Sequence, residues 1–123
     1  MNAPNDNAFL SLQFVRSIVM PLPGVTEKIC FDTPAFYANK KIFSRLKEDG
    51  LSWVMYTEER DKWMHADPET FFITDHYVNY NYMLVNLATV NPADLQLLLI
   101  TAWKNRALKK QVETALAQGL INE

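Results

Sequence analysis

The sequence contains few of the residues from which specialised sites are built. It has one cysteine, two histidines and three glycines among its 123 residues. A single cysteine, Cys30, cannot form an internal disulfide, which fits a protein of the reducing cytoplasm. His65 and His76 have no second ligand at metal-binding spacing, and three scattered glycines cannot build a phosphate-binding loop. We therefore expect neither a metal site nor a cofactor.

Catalytic motifs and membrane signals are missing as well. No G-x-S-x-G or Cys-x-x-Cys motif occurs, and Cys30 is predicted to be a small hydrophobic residue within a strand. The longest apolar runs, such as Leu97–Ile100, are far shorter than the roughly 20 residues of a membrane span. The first residues lack the features of a secretory signal. The sequence thus predicts a cytoplasmic protein with no membrane association and no enzymatic activity.

What the sequence does contain is typical of an ordinary globular protein. Apolar residues make up 49% of the chain, and 12 basic residues stand against 14 acidic ones, for a net charge of −2. This near balance argues against a strongly basic nucleic-acid module. The length suits one domain, since domains cluster at roughly 100–150 residues. We expect residues 1–7 to be a flexible N-terminus and residues 8–119 to form a single domain.

Hydrophobic periodicity and turn signals place the predicted elements. Leu10, Phe14, Val15 and Ile18 share one helical face, and Asp49-Gly50 is typical of a hairpin turn. The first predicted elements are a helix over 8–20 and strands over 27–31, 35–38, 42–47 and 51–56, the last with Leu51, Trp53 and Met55 on one face. A helix from the N-cap Thr57 to 66 and strands over 71–74 and 83–88 follow. One final helix begins at the N-cap Asn91 and Pro92 and stops at Gly119. The pattern predicts an α+β fold, an antiparallel sheet with the N- and C-terminal helices packed on one face.

Basic residues are concentrated in two segments that contain no acid. Residues 38–47 and 95–110 each carry a charge of +4, whereas residues 48–94 between them carry −7. If the two segments adjoin in space, they form one positive patch that can follow a phosphate backbone; if they lie apart, they are ordinary solvated faces. The eight candidate nucleic-acid-binding residues are Lys40, Lys41, Arg45, Lys47, Lys104, Arg106, Lys109 and Lys110.

A predicted loop over residues 75–82 has the most unusual local composition. It contains three tyrosines and a histidine, whose flat rings end in polar groups. Such a loop can stack on a base, bind an aromatic ligand, or simply cover the edge of the core. The candidate ligand-binding residues are His76, Tyr77, Tyr80 and Tyr82.

Several segments occur in an order that resembles the MmcQ/YjbR family. The similarity extends from about residue 8 to residue 112 and is carried by the ordered set rather than by any one motif. The segments are Leu22-Pro-Gly-Val25, Thr33-Pro-Ala-Phe36, Lys41-Ile-Phe43, Ala66-Asp-Pro-Glu-Thr-Phe-Phe-Ile-Thr-Asp-His-Tyr77, Leu84-Val-Asn-Leu87 and Ala102-Trp103. The resemblance implies a double-wing α+β fold, similar to the frataxin-like fold, and a DNA-binding role. Asp75 departs from the family pattern, because members often carry proline there.

Three functions are consistent with these patterns. The first is a monomeric, non-catalytic DNA-binding protein that holds phosphates with the two basic segments. The second is a module that binds a protein or a small ligand through the loop over residues 75–82. The third, iron binding by analogy with the frataxin-like fold, requires a cluster of exposed acids on one helix and a strand edge, which the predicted N-terminal helix does not supply. Residues 8–20 contain Arg16 and no acid.

Overall fold

The fold consists of a six-stranded sheet and four helices. A computed structural model describes the backbone of residues 4–122 and the side chains of residues 8–122, so residues 1–3 of the expected flexible N-terminus lie outside the described part. The elements are α1 (Pro4–Val19), β1 (Val25–Cys30), β2 (Thr33–Ala38), β3 (Lys41–Leu46), β4 (Ser52–Tyr56), α2 (Arg60–Ala66), β5 (Phe71–Phe72), a 3₁₀ turn (Asp75–Tyr77), β6 (Tyr82–Asn86), α3 (Pro92–Arg106) and α4 (Lys109–Ala117).

The sheet is antiparallel throughout, with the strand order β1-β2-β3-β4-β6-β5. Short hairpins join β1 to β4 in sequence, and β6 then inserts beside β4, so β5 forms the far edge. The predicted α+β class, with terminal helices on an antiparallel sheet, is confirmed. None of the helices between residues 4 and 122 combines the length and the apolar character needed to cross a bilayer.

One hydrophobic core lies between the helices and the inner face of the sheet. Val15 and Val19 of α1 and Trp103 of α3 are fully buried against strand residues such as Trp53. The two buried indoles also satisfy their N–H groups, since Trp53 donates to Ser11 Oγ at 2.9 Å and Trp103 to the carbonyl of Pro23 at 3.0 Å. The core therefore fixes α1, α3 and the loop before β1 relative to the sheet.

Two residues assigned to apolar faces are exposed instead. Leu10 of α1 is 59% exposed, because the buried stripe of this helix is carried by Val15 and Val19. Leu51 is 49% exposed, because it lies in the turn before β4, which begins only at Ser52. The predicted start of α2 at Thr57 is also wrong: the helix begins at Arg60, and the Thr57 hydroxyl accepts the N–H of Glu59 in a turn.

The predicted C-terminal helix is two helices, not one. Its start is confirmed, because the Asn91 side chain accepts the N–H of Ala93, and so is its end at Gly119, which has φ +72°. Ala107 and Leu108 break it, with ψ angles of 161° and 147°. The side chain of Gln111 accepts the N–H of Leu108 and thereby caps the new helix. The apolar pattern of the sequence continues across this break, because α4 packs Ala115 into the same core as α3.

A bulge in β3 determines which side chains reach the outer face of the sheet, the face turned away from α1 and α3. Phe36 pairs with Ser44 and Tyr37 pairs with Ile42, which leaves Phe43 without a partner on β2. Phe43 stays in the core, while Ile42 and Arg45 on either side of the bulge line the outer face. Simple alternation along the strand cannot predict this arrangement.

Candidate functional site

Six of the eight candidate basic residues lie on three elements that meet at one end of the sheet, named here the basic end. The hairpin between β2 and β3 is joined to the start of α4 by a reciprocal amide pair between Asn39 and Gln111, with both hydrogen bonds at 2.9 Å. Each partner is a direct neighbour of candidate bases in the sequence. The residues of the basic end are Lys40, Lys41, Lys104, Arg106, Lys109 and Lys110.

Arg106 joins the end of α3 to the same hairpin. Its Nη2 donates to the hydroxyl of Tyr82 at 3.1 Å, and that hydroxyl donates to the carbonyl of Ile42 at 3.4 Å. The guanidinium also lies 3.8 Å from the centroid of the Tyr56 ring, in a cation–π contact. Its Nε is buried and has no hydrogen-bond partner among the described residues. The chain therefore holds a positive charge next to the β2–β3 hairpin.

Gly24 lies beneath the amide pair. Its carbonyl accepts the N–H of Asn39 at 2.9 Å, and its φ is +76°. A Cβ at this position would meet the side-chain amides of both Gln111 and Asn39. The close approach of loop, hairpin and helix therefore depends on a residue without a side chain.

Among residues 8–122, the bases of the basic end have no acidic partner. No carboxylate in this described range lies within ion-pair distance of any of the six. The remaining two candidates differ: Arg45 and Lys47 both contact Glu48, at 2.8 and 3.8 Å. Lys47 is also distant, since it lies six residues beyond Lys41 along and just past β3, about 20 Å in extended backbone.

The outer face of the sheet carries a mainly apolar cleft of about 200 Å³, named here the outer-face cleft. Five strands, the β1–β2 turn and the 3₁₀ turn line it, and most of the side chains are aromatic or aliphatic. A second, more polar depression of about 250 Å³ shares Phe31, Arg45, His76 and Tyr77 with it. The lining residues of the cleft are Cys30, Phe31, Tyr37, Ile42, Ser44, Arg45, Val54, His76, Tyr77 and Tyr82.

Arg45 forms a wall of this cleft rather than an open phosphate contact. The residue is only 8% exposed, and its Nη2 donates to the Tyr77 hydroxyl at 3.4 Å. Its Nη1 donates to Glu48 at 2.8 Å. Two contacts lower the pKa of the Glu48 carboxyl: a hydrogen bond from the backbone N–H of Glu48 itself, and the contact with Arg45. The carboxylate therefore offsets the charge of Arg45 at neutral pH.

Three of the four candidate residues of the predicted loop over residues 75–82 line the cleft, although Tyr82 belongs to β6 rather than to a loop. Tyr77 is buried and Tyr82 half-buried, while the exposed His76 lies edge-on to Tyr77 with ring centroids 4.7 Å apart. Tyr80 is 58% exposed and does not line the cleft. The aromatic side chains missed by the sequence pattern, Phe31 and Tyr37, come from the β1–β2 hairpin, far away in the chain.

Arg60 holds this loop in place. Its Nη1 donates to the carbonyls of Tyr77 and Tyr80, both at 2.6 Å, and to that of Tyr82 at 3.3 Å. Its Nη2 donates to the carbonyl of Val78 at 2.6 Å. The sequence pattern places Arg60 among nine acids of an acidic segment, and nothing local distinguishes it from a solvated base.

Phe31 occupies a backbone conformation that suits other residues better. It and Asp32 connect β1 to β2 with φ angles of 51° and 66°, as a type I′ turn requires. This turn favours asparagine and glycine, and a bulky side chain there is strained. Phe31 is nevertheless 71% exposed at the rim of the cleft, with the Arg45 guanidinium 5.1 Å from its ring centroid.

Among the described residues, no three histidine, cysteine, aspartate or glutamate side chains gather in a group that could hold a metal ion. Cys30 is a free thiol at the edge of the outer-face cleft.

Comparison with known proteins gives relatives without an assigned function. No family model matches the sequence. Uncharacterised proteins of Mycobacterium tuberculosis and Mycobacterium bovis are 30% identical over 75 residues, which cover 61% of this chain and 52% of theirs. The chain thus spans about half the length of these curated relatives.

A solved structure has a similar fold. The crystal structure of Deinococcus radiodurans protein DR2400, a domain of the family DUF419, superposes with a TM-score of 0.65 at 22% identity, over 84% of this chain and 86% of that one. At this identity the likeness concerns the fold. The chain therefore shares its α+β architecture with a DUF419 domain.

Proposed function

We propose that this chain is a non-catalytic DNA-binding module that holds phosphates with the basic end. The observation that carries the proposal is the convergence of three elements, which the Asn39–Gln111 pair and the contacts of Arg106 bring together. Their bases come from chain segments more than 50 residues apart and have no acidic partner among the described residues. Bases that are not neutralised internally are available to neutralise phosphates.

Two further arguments support this proposal. The first turn of α4, at Lys109, belongs to the basic end, and the N-terminal end of a helix adds partial positive charge there. The sequence also resembles the MmcQ/YjbR family, whose members are commonly described as DNA-binding. Contacts to phosphates supply affinity without base specificity, so we propose binding that is largely independent of duplex sequence.

The salt dependence of binding tests the proposal. If about six phosphates are neutralised, the logarithm of the association constant falls with the logarithm of salt concentration with a slope of about −5. Fluorescence anisotropy with a labelled duplex, titrated from low to moderate salt, measures this slope. A protein that fails to bind duplex DNA even at the lowest salt concentration would rule the proposal out.

A charge-neutral substitution tests whether the assembly of the basic end matters. Gln111→Ala removes the two hydrogen bonds with Asn39 and the cap on Leu108, but leaves every charge in place. We expect duplex affinity to fall about threefold to tenfold, because α4 and the hairpin are no longer held together. Gln118→Ala, on the exposed end of the same helix, is the matched control. Equal affinities of the two variants would show that the junction contributes nothing to binding.

A second candidate function is the binding of a small ligand or a protein segment in the outer-face cleft. The cleft itself favours this candidate, since three of the four predicted loop residues line it. The two candidates predict different results for charge reversal at Lys40 and Lys41. Binding of a ligand in the cleft alone would be unaffected by that reversal, whereas DNA binding would weaken.

A further inference from the structure

We propose that the outer-face cleft accepts one unpaired base of a single-stranded nucleic acid whose phosphates lie on the basic end. This inference rests on the proposed function and adds to it a second form of nucleic acid, single-stranded as well as duplex. It also assigns a role to the cleft, which phosphate binding alone leaves without one.

The cleft alone has room for about a single ring system. Pockets for complete drug-sized ligands measure about 300–1,000 Å³, whereas this cleft measures about 200 Å³. A ligand larger than one ring system must therefore extend over the rim. An unpaired base fits this requirement, because its sugar and phosphates remain outside.

The chemistry of the lining matches a flat, uncharged ring. Phe31, Tyr37 and Tyr82 present aromatic surfaces, and stacking on such surfaces accepts any base. The contact with Glu48 offsets much of the charge of Arg45. The Tyr77 hydroxyl and the Arg45 guanidinium supply polar groups for the edge of a base.

The cleft and the basic end share a wall. Tyr82 and Ile42 line the cleft, and the Tyr82 hydroxyl bridges the carbonyl of Ile42 and the guanidinium of Arg106. A strand whose phosphate lies beside Arg106 thus has its neighbouring base next to the cleft.

The backbone strain at Phe31 is the observation that points most directly to function. A phenylalanine with positive φ is costly, and this one buries little of its ring. Strain that stability does not explain is characteristic of ligand-binding positions. At the rim of the cleft, the exposed ring is placed to stack on the outer side of an inserted base.

The experiment compares two strands with the same phosphates, a twelve-residue oligothymidine and an abasic strand of equal length. The wild-type protein is expected to bind oligothymidine at least tenfold more tightly, because stacking of one base contributes about that much. Phe31→Asn is expected to reduce this ratio to about two, with no change in abasic-strand affinity. Ile29→Asn, equally exposed but on the inner face of β1, is the matched control and is expected to retain the full ratio.

The outcomes separate the two proposals. Equal, salt-dependent binding of both strands by the wild-type protein overturns the cleft assignment and leaves phosphate binding intact, whereas failure to bind either strand overturns both. Tight binding of free thymidine monophosphate that does not depend on salt would instead assign the cleft to a small ligand. Phe31→Asn is expected to keep or raise the melting temperature, because asparagine suits the positive φ, so lost binding cannot be attributed to unfolding.

Discussion

Reversing the charges of Lys41 and Lys109 together is expected to weaken duplex binding about 200-fold at 50 mM salt. For each phosphate contact, the association constant falls with about the 0.9 power of the salt concentration. One contact therefore raises the association constant about 15-fold at 50 mM salt relative to 1 M salt. Losing two such contacts multiplies these factors. The two residues lie on different elements, the hairpin and α4, so the double variant affects both sides of the basic end.

The matched control for this pair is Lys28→Glu with Lys62→Glu, which changes the net charge by the same amount. Both lysines are exposed and lie outside the basic end, on β1 and α2. We expect the control to lose less than about fivefold at 50 mM salt, from the general field alone. Similar losses in both double variants would show that net charge, rather than the basic end, governs binding.

Replacing Arg60 by methionine is expected to lower the free energy of unfolding by about 2–3 kcal/mol. Methionine keeps much of the aliphatic stem but removes the donors that hold the carbonyls of Tyr77, Val78, Tyr80 and Tyr82. Hydrogen bonds from a charged donor are each worth about 1.5–3 kcal/mol when deleted, and here they share one side chain. Urea unfolding followed by tryptophan fluorescence measures the loss.

The same variant also tests what the loop does for binding. We expect Arg60→Met to lose its preference for oligothymidine over the abasic strand, because Tyr77 and Tyr82 no longer form a fixed wall. Duplex binding and its salt slope should persist, since Arg60 is not part of the basic end. Arg60→Lys is the informative companion, because one ammonium cannot reproduce the fork of the guanidinium across four carbonyls. Unchanged stability in both variants would contradict this account of the loop.

Local patterns predicted the elements of the fold well where the determining contacts are themselves local. The start of α3 at Asn91 and the stop at Gly119 depend on side chains and φ angles within one turn. The break at Leu108 was missed because it depends on Gln111, whose other partner, Asn39, is 72 residues away in the chain. A continuous apolar stripe carries no information about such a contact.

The candidate site was predictable in composition and not in arrangement. The two basic segments were visible in the sequence, but their juxtaposition required the fold to bring α4 to the β2–β3 hairpin. Arg45 was grouped with the phosphate-binding bases, and only the bulge beside Phe43 explains why it lies in the cleft. Arg60 acts through backbone carbonyls, which every residue possesses, so no sequence motif distinguishes it.

Gly24 ties the choice of residue at two other positions, Asn39 and Gln111, to its own. Any side chain at position 24 would displace the amides of Asn39 and Gln111, so these three residues are constrained as a set rather than one by one. A lineage that acquires a larger residue at position 24 must first give up the junction, and one that has lost the junction is free to change all three. Glycine at this position among relatives is therefore expected to accompany the Asn–Gln combination, and with it a conserved course of α4 across the hairpin.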